Sequence, residues 1–168
     1  MKKLFFLLLA GVLLFSCSGC SSQNSRKTKD TDSAQADTSK KEDAMNRKQQ
    51  IRISSKDGQN VVFELNDSPA ARSLYGQLPL SVKIDDYSDN EKIFYPPEKL
   101  NISSTPPAKG GAGTLAYYEP WGDVVVFYGE FDESGSLYEI GDAVSGKNQM
   151  KDLSGEIKIE AVTEGSGN

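Results

Sequence analysis

The chain has 168 residues, of which 37% are hydrophobic and 26% charged, and its formal net charge is −5 at pH 7. This length is enough for one ordinary domain. The sequence has no histidine, and both of its cysteines, Cys17 and Cys20, fall within the first 20 residues. These counts exclude a Ser-His-Asp triad, an imidazole general base and any His-ligated metal site. The residues after Cys20 also offer no thiol nucleophile, disulfide or zinc–thiolate site.

Residues 1–16 have the pattern of a secretory signal peptide. Lys2 and Lys3 form a short positive segment, and the apolar run LFFLLLAGVLLF follows them. The run of 12 residues has the length of a signal-peptide core and is too short for a helix that spans a bilayer. We therefore expect export from the cytoplasm.

A cysteine follows this run where a soluble secreted protein would show an Ala-x-Ala cleavage site. Leu14-Phe15-Ser16-Cys17 resembles the lipobox of bacterial lipoproteins, and Cys17-Ser18-Gly19-Cys20 is a competing match. The resemblance implies a diacylglyceryl group on the sulfur of Cys17, or alternatively of Cys20, with cleavage before that cysteine and acylation of the new amino terminus. Two or more acyl chains hold a protein stably at a membrane. We expect a lipid-anchored protein of the cell envelope whose domain lies outside the cytoplasm.

The next segment, residues 17–49, is predicted to be a disordered tether. From Ser18 to Gln50 there is no Leu, Ile, Val, Phe, Tyr or Trp, so the segment cannot bury enough apolar surface to fold. We assign residues 50–163 to a folded domain and residues 164–168 to a flexible C-terminus. Residues 51–168 carry 19 acidic and 10 basic side chains. The resulting net negative charge argues against nucleic acid as a partner, because phosphate contacts need a basic face.

The first elements of the domain are a hairpin and a helix. Alternating residues 51–54 and the run 61–65 are predicted to pair as strands around an Asp57-Gly58 turn. A helix is then predicted with Asp67 or Ser68 as its cap and Pro69 in its first turn, because proline lacks an N–H that this position does not use. Its apolar face comprises Ala70, Leu74 and Leu78, and Pro79 ends it.

Further short strands follow, separated by proline, glycine and aspartate. They are predicted at residues 80–84, 92–95, 114–118, 124–128, 137–143 and 156–162, with turns at residues 85–90 and 132–135. The turn at 132–135 is predicted to join Phe131 and Leu137 as a hairpin. Residues 124–128 are apolar on both faces, which favours a central strand. A mainly β fold results, with seven or eight strands and one short helix, and a small closed barrel is the expected architecture.

Several motifs carry a resemblance to a family. In chain order they are Leu78-Pro79-Leu80, Phe94-Tyr95-Pro96, Thr114-Leu115-Ala116-Tyr117-Tyr118, Pro120-Trp121-Gly122-Asp123 and Ile140-Gly141-Asp142. With the order of the elements, they resemble the bacterial cyclophilin-like domain over roughly residues 50–163. The resemblance implies a minimal β-barrel with the cyclophilin fold. It does not extend to the isomerase signature, an Arg before a Phe-x-x-Gln-Gly-Gly-Asp run with a His elsewhere, since Arg52 and Arg72 lack that run and histidine is absent.

Other candidate sites have common structural explanations. The loop at residues 110–113 is rich in glycine but lacks the Gly-Lys-Ser/Thr end of a phosphate-binding loop. Asp85-Asp86 and Asp132-Glu133 could ligate a hard cation, but neither lies in a spaced calcium loop and both fit turns better. We therefore predict no metal site and no cofactor.

Clustered aromatic residues are the more informative feature. Tyr117 and Tyr118 point to opposite faces of a strand, so at most one of them fills the barrel. Tyr118 and Trp121, with Tyr95, are predicted to line a groove for a peptide or a small molecule. Packing is the commoner role of such residues, and the sequence alone predicts that Trp121→Ala affects stability more than ligand binding.

Two functions from different classes remain at this point. The first is a membrane-tethered, non-catalytic binding or accessory module outside the cytoplasm. The alternative is a divergent peptidyl-prolyl cis–trans isomerase that holds a twisted X-Pro bond in an aromatic groove, chemistry that needs no nucleophile. The missing catalytic signature favours the first. No residue pattern names a ligand.

Overall fold

The computed structural model describes residues 48–163, in which most of the alternating apolar and polar runs form strands. The elements are β1 (Gln50–Ser55), β2 (Asn60–Leu65), α1 (Pro69–Tyr75), β3 (Leu80–Tyr87), β4 (Glu91–Phe94), β5 (Thr114–Tyr118), β6 (Asp123–Phe127), β7 (Leu137–Ser145), a 3-10 helix (Lys147–Asp152) and β8 (Gly155–Ala161). The predicted signal peptide, both cysteines, the tether up to residue 47 and the segment 164–168 lie outside the described residues.

The eight strands form a closed antiparallel barrel in the order β1-β2-β7-β5-β6-β4-β3-β8. β8 pairs with β1, Ile159 opposite Ile53, and this pairing closes the sheet. Closure removes the unpaired edges through which open sheets associate. The predicted fold class, a mainly β closed barrel with one short helix, is confirmed.

One hydrophobic core fills the barrel. Inward positions alternate with outward ones along each strand, as in β1, where Ile51 and Ile53 are buried. Tyr117 on β5 is buried inside, and its hydroxyl oxygen accepts a hydrogen bond from the backbone N–H of Leu100 at 3.3 Å. Tyr118 is only half-buried on the opposite face, as the alternation predicts.

Helix α1 covers part of this core. The Ser68 hydroxyl caps it by accepting a hydrogen bond from the N–H of Ala71 at 3.2 Å, and Pro69 occupies its first turn. Ala70, Ala71 and Leu74 are its buried residues and belong to the barrel core. The helix ends at Tyr75, one turn before the predicted Leu78, because the residue that precedes a proline disfavours helical backbone angles.

A second, smaller cluster lies on the outer face of the barrel. All five residues of β6 are buried. Val124 and Val126 face the main core, while Val125 and Phe127 pack outside with Ala116 of β5. The prediction that this strand is apolar on both faces is confirmed. A strand with two apolar faces needs cover on its outer side, and the loops that supply the cover also form the candidate site.

Two further local predictions are wrong, and one element was not predicted. β3 continues to Tyr87, so the turn predicted at residues 85–90 begins later. Residues 132–135 do not form a hairpin turn, because β6 and β7 are not neighbours and β5 lies between them. The 3-10 helix Lys147–Asp152 was not predicted. Turn residues indicate where the chain bends, but they do not determine which strands pair. Within residues 48–163, no helix combines the length and the apolar character needed to cross a membrane.

Candidate functional site

A cleft of about 500 Å³ opens on the outer face of the barrel, above β4, β5 and β6. Its volume lies within the range of small-molecule sites. Apolar residues of the outer cluster contribute to its surface, among them Val125, Phe127 and Leu137. The residues that line it are Tyr87, Asn90, Glu91, Tyr118, Trp121, Asp123, Val125, Phe127, Glu130, Phe131, Asp132, Ser134 and Leu137.

Three aromatic side chains meet along one side of the cleft. The Trp121 ring meets the Tyr87 and Tyr118 rings edge-on, with centroids 5.3 and 5.4 Å away. Trp121 lies in the loop between β5 and β6, where Gly122 takes a φ of 78° and its N–H donates a hydrogen bond to the Tyr118 carbonyl at 2.9 Å. Glycine suits this position because other residues rarely adopt a positive φ. The tight loop holds Trp121 beside the end of β5.

A second pair of rings belongs to β6 and the loop after it. The rings of Phe127 and Phe131 stack with centroids 3.8 Å apart. Asn90, in the β3–β4 turn, holds this loop: its carbonyl accepts the N–H groups of Tyr128 and Gly129, and its side-chain amide donates to the Glu130 carbonyl at 2.8 Å. These hydrogen bonds fix the loop after β6 against the β3–β4 turn, and this loop forms one side of the cleft.

Two carboxyl groups in the cleft are partly or fully shielded from water. Asp123 is only 1% exposed, and its Oδ1 atom has no hydrogen-bond partner within residues 48–163. Burial raises the pKa of Asp123, and a hydrogen bond with its own backbone opposes part of that rise. Burial also raises the pKa of Glu91, and the Asp123 charge adds to the effect. Each carboxylate is therefore held in its charged form at a free-energy penalty.

The direction of these shifts defines their effect on stability. A carboxyl group whose pKa is raised by folding stabilises the folded state while it is protonated. That contribution is complete below the ordinary values of 3.8 for Asp123 and 4.5 for Glu91. It is lost as the pH rises through the folded-state pKa. At neutral pH the two charged carboxylates thus lower the stability of the barrel.

The structure brings two of the three predicted groove residues together. Tyr118 and Trp121 line the same cleft, with Tyr118 half-buried and Trp121 exposed. Tyr95 is exposed as well but does not line the cleft. The register supplies the reason: Phe94 is the last residue of β4 to pair with β6, so Tyr95 lies beyond the paired part of the strand.

The predicted acidic pairs are arranged differently from a cation site. Asp86 pairs with Lys92 and Asp85 with Lys83, each at 2.6 Å. Asp132 lines the cleft, whereas Glu133 is exposed outside it. Within residues 48–163 no three His, Cys, Asp or Glu side chains converge as a metal site requires.

Sequence reasoning missed Tyr87, Glu91 and Asp123. Tyr87 was placed in a turn, and Glu91 was placed just before a strand. Asp123 could have been recognised from the sequence, because it directly precedes the apolar run VVVF in a strand that is apolar on both faces. A carboxylate at such a position is expected to be shielded from water. Glu91 had no comparable signal, because only the pairing of β4 with β6 brings it to the cleft.

Comparisons with known proteins agree with this architecture. A family model described as the cyclophilin-like family matches residues 54–161. The chain belongs to the cyclophilin-like family. The match begins near the end of β1, extends to the end of β8 and includes every cleft residue, so the cyclophilin-like resemblance seen in the sequence motifs is confirmed. No curated protein matches the sequence.

Two solved structures that share this fold are distant in sequence. The solution structure of the hypothetical protein AF2241 from Archaeoglobus fulgidus has a TM-score of 0.52 and 18% identity, and the match covers 68% of this chain and 97% of that one. The structure of McbB in complex with tryptophan has a TM-score of 0.55 and 14% identity, over 70% of this chain and 46% of that one. This chain therefore spans less than half of the length of McbB. Both likenesses concern the cyclophilin-like fold alone.

Proposed function

We propose that this protein is a membrane-tethered, extracytoplasmic module that binds a ligand in the aromatic cleft without catalysing a reaction. The observation that carries the proposal is the cleft itself. The barrel has closed and its core is filled, yet Trp121 remains exposed beside Tyr118 and Tyr87. Large aromatic residues left at the surface of a concave site are typical of binding sites, because they offer much contact area at little loss of conformational entropy.

Tethering is the part of the proposal that rests on residues before the barrel. The lipobox-like match at Leu14–Cys17, with Cys20 as the alternative, supports a lipid anchor. The apolar-poor segment up to residue 49 supports a flexible link of roughly 30 Å. We expect Cys17→Ala combined with Cys20→Ala to release the protein from the membrane fraction, as judged by membrane fractionation and detection of the protein. Retention of the double variant in the membrane would contradict the lipid anchor.

The cleft is tested by comparing two exposed aromatic residues. Trp121 and Tyr95 are 51% and 52% exposed, but only Trp121 lines the cleft. We expect Trp121→Ala to weaken binding of cleft ligands by about tenfold or more, the effect of losing a central aromatic anchor. We expect it to lower the free energy of unfolding by only about 1–2 kcal/mol, the value of two edge-on ring contacts. The structure therefore predicts that Trp121→Ala affects ligand binding more than stability, the opposite of what the sequence alone predicts.

The measurement is ligand-observed NMR with the full chain in dodecyl maltoside, against aromatic small molecules and short X-Pro peptides. Tyr95→Ala is the matched control and should bind as the wild type does. Binding that survives Trp121→Ala but falls in Tyr95→Ala would place the ligand outside the cleft and overturn the proposal.

A divergent peptidyl-prolyl isomerase is the alternative, favoured by membership of the cyclophilin-like family. Arg52 lies on β1 and Arg72 on α1, and neither lines the cleft. The cleft thus lacks the arginine that the isomerase signature supplies. A protease-coupled proline isomerisation assay separates the two functions. A rate equal to the uncatalysed one supports the binding module, and acceleration that Trp121→Ala abolishes would establish the isomerase.

A further inference from the structure

The charge of the cleft is strongly one-sided. Four of its lining residues are acidic, and within residues 48–163 no lysine or arginine lines it. The acids belong to separate parts of the fold: Glu91 on β4, Asp123 on β6, and Glu130 and Asp132 on the following loop. A cleft lined by one sign of charge concentrates ligands of the opposite sign.

Asp123 is the unusual member of this set. The exposed acids have water to solvate them, whereas Asp123 is 1% exposed and its Oδ1 atom lacks a hydrogen-bond donor within the described chain. Its side chain lies on the outer face of β6, because its neighbour Val124 packs in the barrel core. Buried carboxylates are normally paired or hydrogen-bonded. An unpartnered carboxylate oxygen in a cleft, here Asp123 Oδ1, therefore indicates a donor supplied by a ligand.

The aromatic side chains define what else that ligand carries. A cation binds favourably over the face of Trp, Tyr or Phe, and a desolvated site strengthens the attraction. Tyr87, Tyr118 and Trp121 form one side, while Phe127 and Phe131 stack at the other. Tyr87 and Trp121 are exposed, and exposed side chains change rotamer within nanoseconds, so these two rings can adjust to a ligand in the cleft.

A metal ion fits this arrangement poorly. Calcium takes six to eight oxygen ligands, and magnesium needs near-octahedral oxygen geometry. Asp123 and Glu91 belong to different strands at different levels, because Glu91 lies opposite Phe127, four residues beyond Asp123 on β6. That offset corresponds to about 13 Å along a strand. Within residues 48–163 no three acidic, histidine or cysteine side chains converge as a metal site requires, and the aromatic lining of the cleft suits an ion that carries its own apolar group.

We propose that the ligand is a small organic cation, a protonated amine with an apolar or aromatic substituent. Its ammonium group donates a hydrogen bond to the Asp123 carboxylate, and its substituent packs among the rings of Tyr87, Tyr118 and Trp121. Glu91 on β4, which also lines the cleft, adds electrostatic attraction for the cation. This inference rests on the proposed binding function, since it names the ligand class of the same cleft.

Three probes of similar shape test it: phenethylamine, which is protonated at neutral pH, neutral 2-phenylethanol and anionic phenylacetate. Each is titrated into the full chain in dodecyl maltoside, an uncharged detergent, with the fluorescence of Trp121 as the readout. Trp121 is the only tryptophan of the chain, so the signal reports on the cleft alone. We expect phenethylamine to bind at least about tenfold more tightly than 2-phenylethanol, and phenylacetate to bind most weakly, as a charge-assisted hydrogen bond predicts.

The variants assign this preference to a residue. Asp123→Asn should reduce the preference for the amine over the alcohol by about tenfold, while Asp152→Asn, an exposed acid outside the cleft, should leave it unchanged. Thermal unfolding without probe shows that Asp123→Asn is folded, and its stability at neutral pH should equal or exceed that of the wild type.

The organic-cation ligand and the binding function of the cleft can each fail on a different result. Equal binding of amine and alcohol, each lost in Trp121→Ala when followed by calorimetry, would overturn the organic cation and leave the binding cleft. An amine preference that is the same in Asp123→Asn would overturn the role of Asp123. Absence of saturable binding for all three probes overturns the organic-cation proposal; if the ligand panel also fails to bind, the binding function fails with it.

Discussion

Asp86→Ala is expected to lower the free energy of unfolding by about 3 kcal/mol, because it leaves the buried ammonium group of Lys92 without its partner. The two residues are opposite each other on β3 and β4, and Lys92 Nζ lies 2.6 Å from Asp86 Oδ1. Their side chains are unequally exposed, 5% for Lys92 and 67% for Asp86. Almost all of the loss therefore comes from the lysine, since Asp86 is already largely in water.

Lys92→Met provides the test of this cause. Methionine has a similar length and no charge, so the single variant should differ from the wild type by less than about 1.5 kcal/mol. Asp86→Ala combined with Lys92→Met should regain most of the stability that Asp86→Ala loses, a coupling that a double-mutant cycle measures by denaturant unfolding.

The neighbouring pair is the matched control. Lys83 and Asp85 are also 2.6 Å apart, but both side chains are mostly exposed. Asp85→Ala should cost no more than about 1 kcal/mol, as is usual for a surface ion pair. Equal losses in Asp85→Ala and Asp86→Ala would show that Lys92 is solvated in solution.

Gly141→Ala is expected to destabilise the barrel by about 2–3 kcal/mol through overpacking. A Cβ atom at this position would lie 2.4 Å from the Glu64 carbonyl oxygen and 3.1 Å from the Leu65 Cα atom. Both are backbone atoms of β2, which pairs with β7 at this point. Relief would require the two strands to separate, and the closed barrel opposes that movement on both sides.

Gly135→Ala is the control for this substitution. Gly135 lies in the loop before β7, and a Cβ atom there would meet nothing within 4 Å. Its replacement should change stability by no more than about 0.5 kcal/mol. Thermal unfolding of the two variants under one set of conditions is sufficient for the comparison. A Gly141→Ala variant as stable as Gly135→Ala would mean that β2 and β7 are less closely packed than the structure shows.

The structure also explains why a glycine occupies position 141 of a motif that the sequence analysis used. Ile140-Gly141-Asp142 contributed to the family resemblance, but nothing in the sequence said why a glycine is there. The structure shows that β2 approaches β7 too closely for a side chain. Such an approach depends on a strand some 75 residues earlier in the chain, so no local pattern predicts it.

The candidate site was predictable only in part, for a similar reason. Tyr118 and Trp121 are close in sequence and end up in one cleft, because a tight loop keeps them together. Tyr87 reaches the same cleft from a different hairpin, and the predicted partner Tyr95 does not. The acidic residues show the same contrast. Asp85-Asp86 and Asp132-Glu133 are adjacent in the sequence and were considered for that reason. Asp123 and Glu91 became candidate site residues only through burial and strand pairing.

The sequence by itself determined the features that depend on local pattern. Short alternating runs, turn residues and a capped apolar stretch were sufficient to predict seven or eight strands, one helix and a closed barrel, because side-chain alternation is a property of each strand alone. Only the tertiary structure decided which strands are neighbours and that β5 separates β6 from β7. It also decided that Asp123 is shielded, with one unpartnered carboxylate oxygen, in a cleft that three aromatic rings line. Burial and pairing depend on distant parts of the chain, and on this protein they define the chemistry of the cleft.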